Sequence, residues 1–343
     1  MTRQSFDLLS IVVPVYNEED GIEEFHRRLL AVVHGLRVRA EIIYVDDGSA
    51  DRTLELLGAL ADASDNVAIV TLSRNFGKEI AMTAGLDHAA GDAVAIIDAD
   101  LQDPPEVLPD LLRTLEGTGA DLVYGKRTSR KGETALKKMT AHLFYRVMNR
   151  LSDLELPTDS GDFRILNRRA VDALRQLREH HRFMKGLFSW IGFRQIAFPY
   201  ERDGRFAGHS KFNYWRLWNF SLEGITSFTI APLKLASYVG LLTAIGAGLY
   251  GLGMIVGTLV WGNPVAGYPS LLVVMLFLGG LQLMTLGMLG EYLGRVYNET
   301  KHRPLYFVQE FRPSGAGRRS AHLPASSLPK RPSQRAESAS GEG

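Results

Sequence analysis

Continuous apolar runs alternate with segments of helical spacing over the first hundred residues of the chain. Residues 9–15 form an apolar run rich in β-branched side chains, which is typical of a strand buried on both faces. In the next segment, 18–33, Ile22, Phe25 and Leu29 recur at helical spacing. The alternation continues with predicted strands over 41–45, 67–72 and 93–97, and predicted helices over 51–61 and 79–89. This order predicts an α/β fold with a mostly parallel sheet and helices on both faces.

A second pattern is a long stretch without charge near the C-terminal end. No charged residue lies between Lys234 and Glu291, and Asn263-Pro264 and Gly267-Tyr268-Pro269 divide this stretch in two. Each half is long enough to cross a hydrocarbon core of about 30 Å as a helix. We therefore predict two transmembrane helices forming a hairpin within 232–295. A pair of buried core helices is the alternative interpretation.

The charges that flank this predicted hairpin give its orientation. The turn carries no Lys or Arg, whereas Lys234 precedes the first span and Arg295, Lys301 and Arg303 follow the second. Because positive charge accumulates on the cytoplasmic side, both termini are expected in the cytoplasm. The prediction is a multi-pass protein of the inner (plasma) membrane.

Aromatic residues interleaved with Lys and Arg precede the first span, over 211–231. This pattern favours amphipathic helices in the headgroup layer, with a core-packing helix as the alternative. At the other end, 296–343 is expected to be a cytoplasmic tail. It is predicted to be disordered from about residue 313, where Ser, Pro, Gly, Ala and Arg dominate.

Composition removes several function classes. The formal net charge of the 343 residues is +1, so no overall field attracts nucleic acid. The chain has no cysteine, which excludes disulfides, thiol chemistry and a cysteine zinc site. The first ten residues lack the apolar run of a signal peptide, so the N-terminal domain is expected to remain in the cytoplasm.

Polar residues follow each predicted strand of the N-terminal domain. They are residues 16–18, 46–49, 74–78 and 98–100. Ligands of parallel α/β sheets bind beyond the carboxyl ends of the strands, which is where these residues fall. The sequence therefore predicts a binding crevice at that edge.

Two carboxylates dominate the fourth of these segments. Asp98 and Asp100 are two residues apart, so in an extended chain they point to the same side. Paired carboxylates repel unless a cation lies between them, and oxygen ligands favour Mg²⁺ or Mn²⁺. Gln102 is a candidate third ligand. A solvated helix cap is the competing interpretation, and Asp103 is expected to cap the helix that follows.

The second and third segments offer contacts for a nucleotide. Asp46 or Asp47 is a candidate partner for a nucleobase or ribose, and the other is expected to form an Asx-turn leading to Ser49 as a helix N-cap. Arg74 and Lys78 are candidates for binding a diphosphate, with solvated loop charges as the alternative.

Four motifs together resemble the family-2 glycosyltransferases of the GT-A (Rossmann-like) fold. They are Val13-Pro14-Val15-Tyr16-Asn17-Glu18, Val45-Asp46-Asp47-Gly48-Ser49, Asn75-Phe76-Gly77-Lys78 and Asp98-Ala99-Asp100-Leu101-Gln102-Asp103-Pro104-Pro105. With the predicted hairpin they resemble the polyprenyl-phosphate branch of that family. The resemblance covers roughly residues 8 to 305 and implies a cytoplasmic GT-A domain over 1–210. It implies a nucleotide-sugar site formed by Pro14, Tyr16, Asn17, Glu18, Asp46, Asp47, Lys78, Asp98, Ala99 and Asp100, and metal ligation by Asp98, Asp100 and Gln102.

Two further segments resemble acceptor-side elements of the family. Asp159-Ser160-Gly161-Asp162-Phe163-Arg164 implies catalytic roles for Asp162, Asp159 and Arg164, with Arg164 also a candidate phosphate clamp. A turn with capping aspartates is the alternative. The segment 202–211 implies that Arg202, Arg205, Ser210 and Lys211 bind the phosphates of donor and lipid.

The resemblance implies inverting transfer of one sugar to polyprenyl (undecaprenyl) phosphate on the cytoplasmic membrane face. The expected donor is UDP-glucose, with mannose, N-acetylhexosamine or aminoarabinose donors as alternatives, and a tetramer is a possible assembly. A non-catalytic scaffold in glycan export is the rival from another class. A nucleotide-binding oxidoreductase is disfavoured, because no Gly-x-Gly-x-x-Gly turn follows the first strand.

Overall fold

The computed structural model describes residues 4–128, 160–201, 231–261 and 268–315. Its N-terminal half alternates strands and helices as the apolar pattern predicts. The elements are β1 (Leu8–Val15), α1 (Ile22–His34), β2 (Arg39–Asp46), α2 (Thr53–Ala63), β3 (Val67–Leu72), α3 (Lys78–His88) and β4 (Ala93–Ile96). Predicted and observed bounds differ by a few residues at most, since each apolar run is entirely buried in the sheet.

The second half of the domain adds strands of both directions. A short 3₁₀ turn (Pro105–Val107) leads into α4 (Leu108–Thr118), followed by β5 (Leu122–Arg127), β6 (Ser160–Asn167), α5 (Arg168–Gln176), α6 (Met184–Trp190) and β7 (Gln195–Tyr200). The eight-stranded sheet has the order β7-β5-β6-β4-β1-β2-β3-β8. Strands β1 to β4 are parallel, whereas β6 runs antiparallel between β4 and β5. The predicted α/β fold with a mostly parallel sheet is confirmed.

The sheet separates two apolar layers. One layer packs α1, α2 and α4 on one face, around side chains such as Phe25, Leu29 and Leu111. The other packs α3, α5 and α6 on the opposite face, around Met82, Leu174 and Phe188. Burial of these side chains fixes the sheet and leaves its strand-end loops to form a site.

Two long helices follow, α7 (Ala231–Trp261) and α8 (Tyr268–Thr300). None of the helices in the four described ranges is both long and apolar enough to cross a membrane. The transmembrane hairpin predicted over 232–295 is therefore not supported. The predicted interfacial helices, 211–231, lie outside the described residues except for the first residue of α7.

After α8 the chain returns to the N-terminal domain, where the sequence predicted only a tail. The strand β8 (Val308–Arg312) pairs antiparallel with β3 at the edge of the sheet. Arg312 bonds Asp62 at 2.7 Å, and the buried Ser314 donates to the buried Glu41 at 3.2 Å. The sequence predicted disorder only from about residue 313 and no strand before it, whereas residues 308–312 pair with the otherwise open hydrogen-bonding edge of β3.

Candidate active site

The loops beyond β1, β2 and β3 are bonded to one another at the carboxyl edge of the sheet. Asn17 donates its amide N–H to Ser49 Oγ at 3.0 Å and accepts from the Ala50 amide at 2.9 Å. Glu18 donates its amide to Thr53 Oγ1 at 2.9 Å. Ser49 is therefore not the N-cap of α2 as predicted, because its hydroxyl holds the first loop instead and α2 begins only at Thr53.

The two aspartates after β2 have separate structural tasks. Asp46 accepts the Ser49 amide at 3.2 Å, which forms the turn. Asp47 accepts the amides of Phe76 and Gly77 at 2.7 and 2.8 Å, so it holds the loop before α3. Both side chains are buried, and burial raises the pKa of each carboxyl despite these hydrogen bonds.

Gly48 allows the second and third loops to approach. Its φ is +69°, and a Cβ at this position would lie 2.6 Å from the carbonyl carbon of Arg74. Any other residue would meet both backbone strain and this collision. The glycine of the Asp-Asp-Gly-Ser motif is thus required for the close contact between the two loops.

Three charged side chains meet at the end of β4. The Lys78 ammonium lies 2.7 Å from a carboxylate oxygen of Asp98 and 2.5 Å from one of Asp162. The antiparallel register, which pairs Ile96 with Arg164, sets Asp98 opposite Asp162, and α3 begins at Lys78 beside them. The Lys78 side chain is 42% exposed, so the cluster can be reached from solvent.

The electrostatics of this cluster separate its two carboxyls. Burial raises the pKa of Asp98 to about 6, with the Asp162 and Asp103 carboxylates adding to the effect and Lys78 opposing it. Burial would also raise the pKa of Asp162, but Lys78, Lys185 and Arg164 outweigh it and hold that pKa well below its usual range. Asp162 is therefore ionised throughout the physiological pH range.

The Asp98-Ala99-Asp100 segment continues from β4 into a tight turn. Asp100 Oδ1 accepts the amide of Gln102 at 3.1 Å, and Leu101 between them has a φ of +58°. A buried leucine in the left-handed region is costly, and such strain is found at functional sites. Among the described residues, no three or more His, Cys, Asp or Glu side chains form a group that would hold a metal.

Asp103 does not cap the helix that follows it, contrary to the prediction. It is buried, accepts the hydroxyl of Tyr200, and lies 3.6 Å from the Arg127 guanidinium. Because these partners belong to β7 and β5, Asp103 attaches the turn of the D-x-D motif to the edge of the sheet that these two strands form.

Asp162 and Arg164 belong to β6, so the alternative of a capped turn is wrong here. Arg164 is buried and donates to the carbonyl oxygens of Gly161 at 2.8 Å and Asp162 at 3.3 Å. Its guanidinium stacks over Phe188 at 3.7 Å from the ring centroid, and burial lowers its pKa to about 10. In this structure Arg164 supports the Asp162 backbone, and its use as a phosphate clamp stays a prediction.

Sequence analysis missed Glu79, the residue after Lys78. Its carboxylate accepts the Met184 amide at 3.1 Å. Burial and the Asp162 carboxylate raise its pKa to about 7, against the opposing effect of Lys78. A glutamate in the first turn of a helix ordinarily indicates only a favourable interaction with the helix dipole, so no pattern in the sequence singles out Glu79.

Several predicted residues are not part of this geometry. Pro14 is buried within β1, and Ala99 is buried in the turn after β4. Tyr16 is 40% exposed in the loop after β1. Asp159, Arg202, Arg205, Ser210 and Lys211 lie outside the described residues.

Comparison with known proteins identifies the family. Residues 10–175 of this chain match the sequence model of the family described as Glycosyl transferase family 2. An uncharacterized glycosyltransferase of Synechocystis is 50% identical over 302 residues, covering 88% of this chain and 95% of its own length. The bactoprenol glucosyl transferase of Shigella phage SfV is 48% identical, and a prophage bactoprenol glucosyl transferase homolog of Escherichia coli K12 is 46% identical. Each of these two covers 88% of this chain and 98% of its own length.

One solved structure with similarity is a mannosyltransferase from Pyrobaculum calidifontis, in complex with GDP-Man and Mn²⁺. It has a TM-score of 0.47 and 17% identity, with 84% of this chain and 88% of that chain covered. The family is assigned from the sequence relatives, which match nearly along their whole length. They confirm the predicted enzyme class, a hexosyltransferase. The chain belongs to glycosyl transferase family 2.

Proposed function

We propose that this enzyme transfers one glucosyl unit from UDP-glucose to a polyprenyl phosphate, with inversion at the anomeric carbon. Near-complete alignment with bactoprenol glucosyl transferases supports both the sugar and the lipid. The polyprenyl lipid is bactoprenol (undecaprenyl) phosphate, and its phosphate oxygen attacks the anomeric carbon as the nucleotide diphosphate departs. Donors carrying mannose, N-acetylhexosamine or aminoarabinose are the alternatives.

The contact of Lys78 with Asp98 and Asp162 is the observation that carries this proposal. These residues come from the Asn-Phe-Gly-Lys motif, the D-x-D motif and the Asp-Phe-Arg end of the acceptor-side motif. A transferase has to bring donor and acceptor to one point, and the three motifs meet within hydrogen-bonding distance. Neither a nucleotide-binding module nor a scaffold requires that convergence.

The donor occupies the crevice bounded by the first, second and third loops. The hydrogen bonds of Asp47 to the loop before α3, and of Asn17 to Ser49, hold these loops together before any ligand binds. Tyr16, Asn17, Glu18, Asp46 and Asp47 bind the nucleoside part. Preorganised loops lose little conformational entropy on binding, which strengthens donor affinity.

A divalent cation, Mg²⁺ or Mn²⁺, fits the D-x-D segment as a partial site. Asp98 and Asp100 are both partly exposed and offer carboxylate oxygens, the ligands that these hard cations prefer. Gln102 lies in the same turn. The donor diphosphate and water would complete the coordination, and the bound cation would neutralise charge on the leaving nucleotide.

The acceptor needs orientation more than deprotonation. A lipid phosphate is already ionised near neutral pH, so no general base has to remove a proton from it. Asp162 is held ionised by Lys78, Lys185 and Arg164 although burial opposes this. It therefore stabilises the positive charge that develops on the sugar in the transition state. Arg202, Arg205, Ser210 and Lys211 bind the phosphates.

Attachment to the membrane brings the site to its lipid substrate. Large apolar side chains are exposed along both long helices, including Leu241, Leu242, Leu249, Leu259, Leu283 and Leu286. Contiguous apolar surface of this extent is unusual in a water-exposed helix and marks contact with lipid or protein. We assign this surface to contact with the inner membrane, with the catalytic domain on the cytoplasmic side and a homo-oligomer, proposed as a tetramer, as the assembly.

The cytoplasmic side can be tested by labelling, because the chain has no native cysteine. Glu55→Cys introduces a thiol on the exposed face of α2, where the glutamate is 68% exposed. A membrane-impermeant maleimide should label this variant only after the cells are permeabilised. Equal labelling of intact cells would place the domain outside.

The reaction itself is tested with purified full-length protein in lipid vesicles. Radiolabelled UDP-glucose, GDP-mannose and UDP-N-acetylglucosamine are supplied in turn with undecaprenyl phosphate and Mg²⁺ or Mn²⁺. We expect the parent enzyme to form radiolabelled lipid from UDP-glucose, and the Asp162→Asn variant to form none. If only another donor yields labelled lipid, glucose is the wrong sugar and the sugar of that donor replaces it in the proposal. Binding of nucleotide sugar without lipid product from any of them would favour the scaffold.

A further inference from the structure

Two consecutive residues of α3 hold the Asp162 segment from different sides. Lys78 bonds the Asp162 carboxylate directly at 2.5 Å. Glu79 instead accepts a hydrogen bond from the backbone amide of Met184, the first residue of α6. The reaction proposed above gives Lys78 a task and leaves Glu79 without one.

The start of α6 leads back to Asp162 through its own side chains. Phe188 lies under the Arg164 guanidinium at 3.7 Å, and Arg164 donates to the carbonyls of Gly161 and Asp162. Lys185 is near enough to help lower the pKa of Asp162. The contacts therefore form a closed ring from Glu79 through α6 and Arg164 to Asp162 and Lys78.

We propose that Glu79 is a positioning residue for the transfer reaction. By accepting the Met184 amide it fixes the beginning of α6, and so fixes Phe188 beneath Arg164 and Lys185 beside Asp162. The inference rests on the proposed function, in which Asp162 acts on the developing positive charge of the sugar. It adds the statement that a hydrogen bond from α3 to α6 sets the place of that carboxylate.

Hydrogen bonding, more than charge, is the feature that this role requires. A glutamine at position 79 retains a carbonyl oxygen at the same reach, whereas an alanine leaves the Met184 amide without this acceptor. The surrounding charges are Lys78 on α3, Asp162 and Arg164 on β6, Lys185 on α6 and Arg182 before α6. Because glutamine retains the hydrogen bond to the Met184 amide, we expect loss of the Glu79 charge alone to be tolerated.

The test compares Glu79→Ala, Glu79→Gln and the surface control Glu55→Ala in full-length protein at pH 8. Turnover with lipid acceptor, donor affinity by calorimetry, and hydrogen exchange at the Met184 amide are measured for each. We expect Glu79→Ala to lower kcat at least tenfold, with donor Kd changed less than about twofold and Met184 exchange accelerated. Glu79→Gln and Glu55→Ala should stay within about threefold of the parent in kcat, with Met184 protected.

Two results would overturn the inference. One is a Glu79→Ala enzyme with parental kcat, and the other is a Glu79→Gln enzyme as impaired as Glu79→Ala, which would assign the role to charge. If the parent protein makes no lipid product, the proposed function fails. Met184 exchange then decides the positioning claim by itself, since unchanged exchange in Glu79→Ala would refute it.

Discussion

Lys78 and Asp162 lie 84 residues apart in the chain, and the ammonium of one is 2.5 Å from the carboxylate of the other. Lys78 also bonds Asp98, so one cation neutralises carboxylates from two different motifs. Burial of two carboxylates so close together is unfavourable without such a cation. Lys78 is therefore as much a part of this charged cluster as the aspartates, and we propose that it belongs to the reaction centre with them.

Replacing Lys78 by methionine should impair transfer roughly ten- to a hundredfold. The change leaves Asp98 and Asp162 facing each other without the Lys78 counter-charge. Both pKa values then rise, and a smaller fraction of Asp162 is ionised. Removing one charged hydrogen-bond partner from a site costs about 1.5–3 kcal/mol, which corresponds to roughly ten- to a hundredfold in kcat/KM. The measurement is kcat/KM, with Arg27→Met on the exposed face of α1 as the control. Parental activity in Lys78→Met would remove the lysine from the reaction centre.

The D-x-D aspartates are expected to hold a metal with the donor. Asp98→Asn and Asp100→Asn should each reduce transfer at least a hundredfold and weaken UDP-sugar binding in the presence of Mn²⁺. Calorimetry with and without Mn²⁺ separates the metal-dependent part of the affinity, and Asp110→Asn on α4 is a matched surface control. Activity that survives both substitutions and EDTA would contradict the metal assignment.

Glu79 should make stability depend on pH. Its pKa rises from the ordinary 4.5 to about 7 in the folded protein, chiefly through burial. A carboxyl whose pKa is raised on folding stabilises the folded protein because the folded state binds the proton more tightly. This stabilisation is fully present below the unfolded pKa of 4.5, and it is lost as the pH rises through about 7. At about 1.4 kcal/mol per unit, the loss between pH 4.5 and 8 amounts to about 3 kcal/mol.

Glu79→Gln removes this titration. The variant should therefore melt at a higher temperature than the parent at pH 8, and the difference should shrink or reverse at pH 5. Thermal unfolding of the two proteins across this pH range measures the effect, with Glu55→Gln as the exposed control. Parallel pH curves for parent and Glu79→Gln would show that another group carries the dependence.

The strand after α8 should contribute measurably to the stability of the catalytic domain. A chain that ends after residue 305 loses β8, with its four residue pairs to β3, and the bonds of Tyr306 to Asp87 and of Arg312 to Asp62. At about 0.5–1 kcal/mol for each net hydrogen bond, the loss of these contacts should lower the free energy of unfolding by about 3–6 kcal/mol. A chain that ends after residue 315 retains all of these contacts and is the control. Denaturant unfolding compares them, and equal midpoints would show that β8 is energetically neutral.

Local pattern determined most of the Rossmann-like half of the domain. Short apolar runs rich in β-branched residues favour strands buried on both faces, and the amphipathic helical segments between them favour helices that cover a parallel sheet. The polar residues after each strand therefore had to meet at the carboxyl edge. The observed loops beyond β1, β2 and β3 are joined there by the hydrogen bonds of Asn17 and Asp47. Motifs of this kind also carried the resemblance to family-2 glycosyltransferases, which the sequence relatives then confirmed.

Tertiary structure alone decided which of those polar residues contact each other. The pairing of Lys78 with Asp162 depends on β6 entering the sheet between β4 and β5, and hydrophobic periodicity carries no information on strand order. The same holds for Asp103, which looked like a helix cap and is bonded to Tyr200 on β7. β8 was missed because a strand of five residues, none of them fully buried, has no buried apolar run to reveal it. Its position depends on the unpaired edge of β3, and that edge exists only once the sheet has formed.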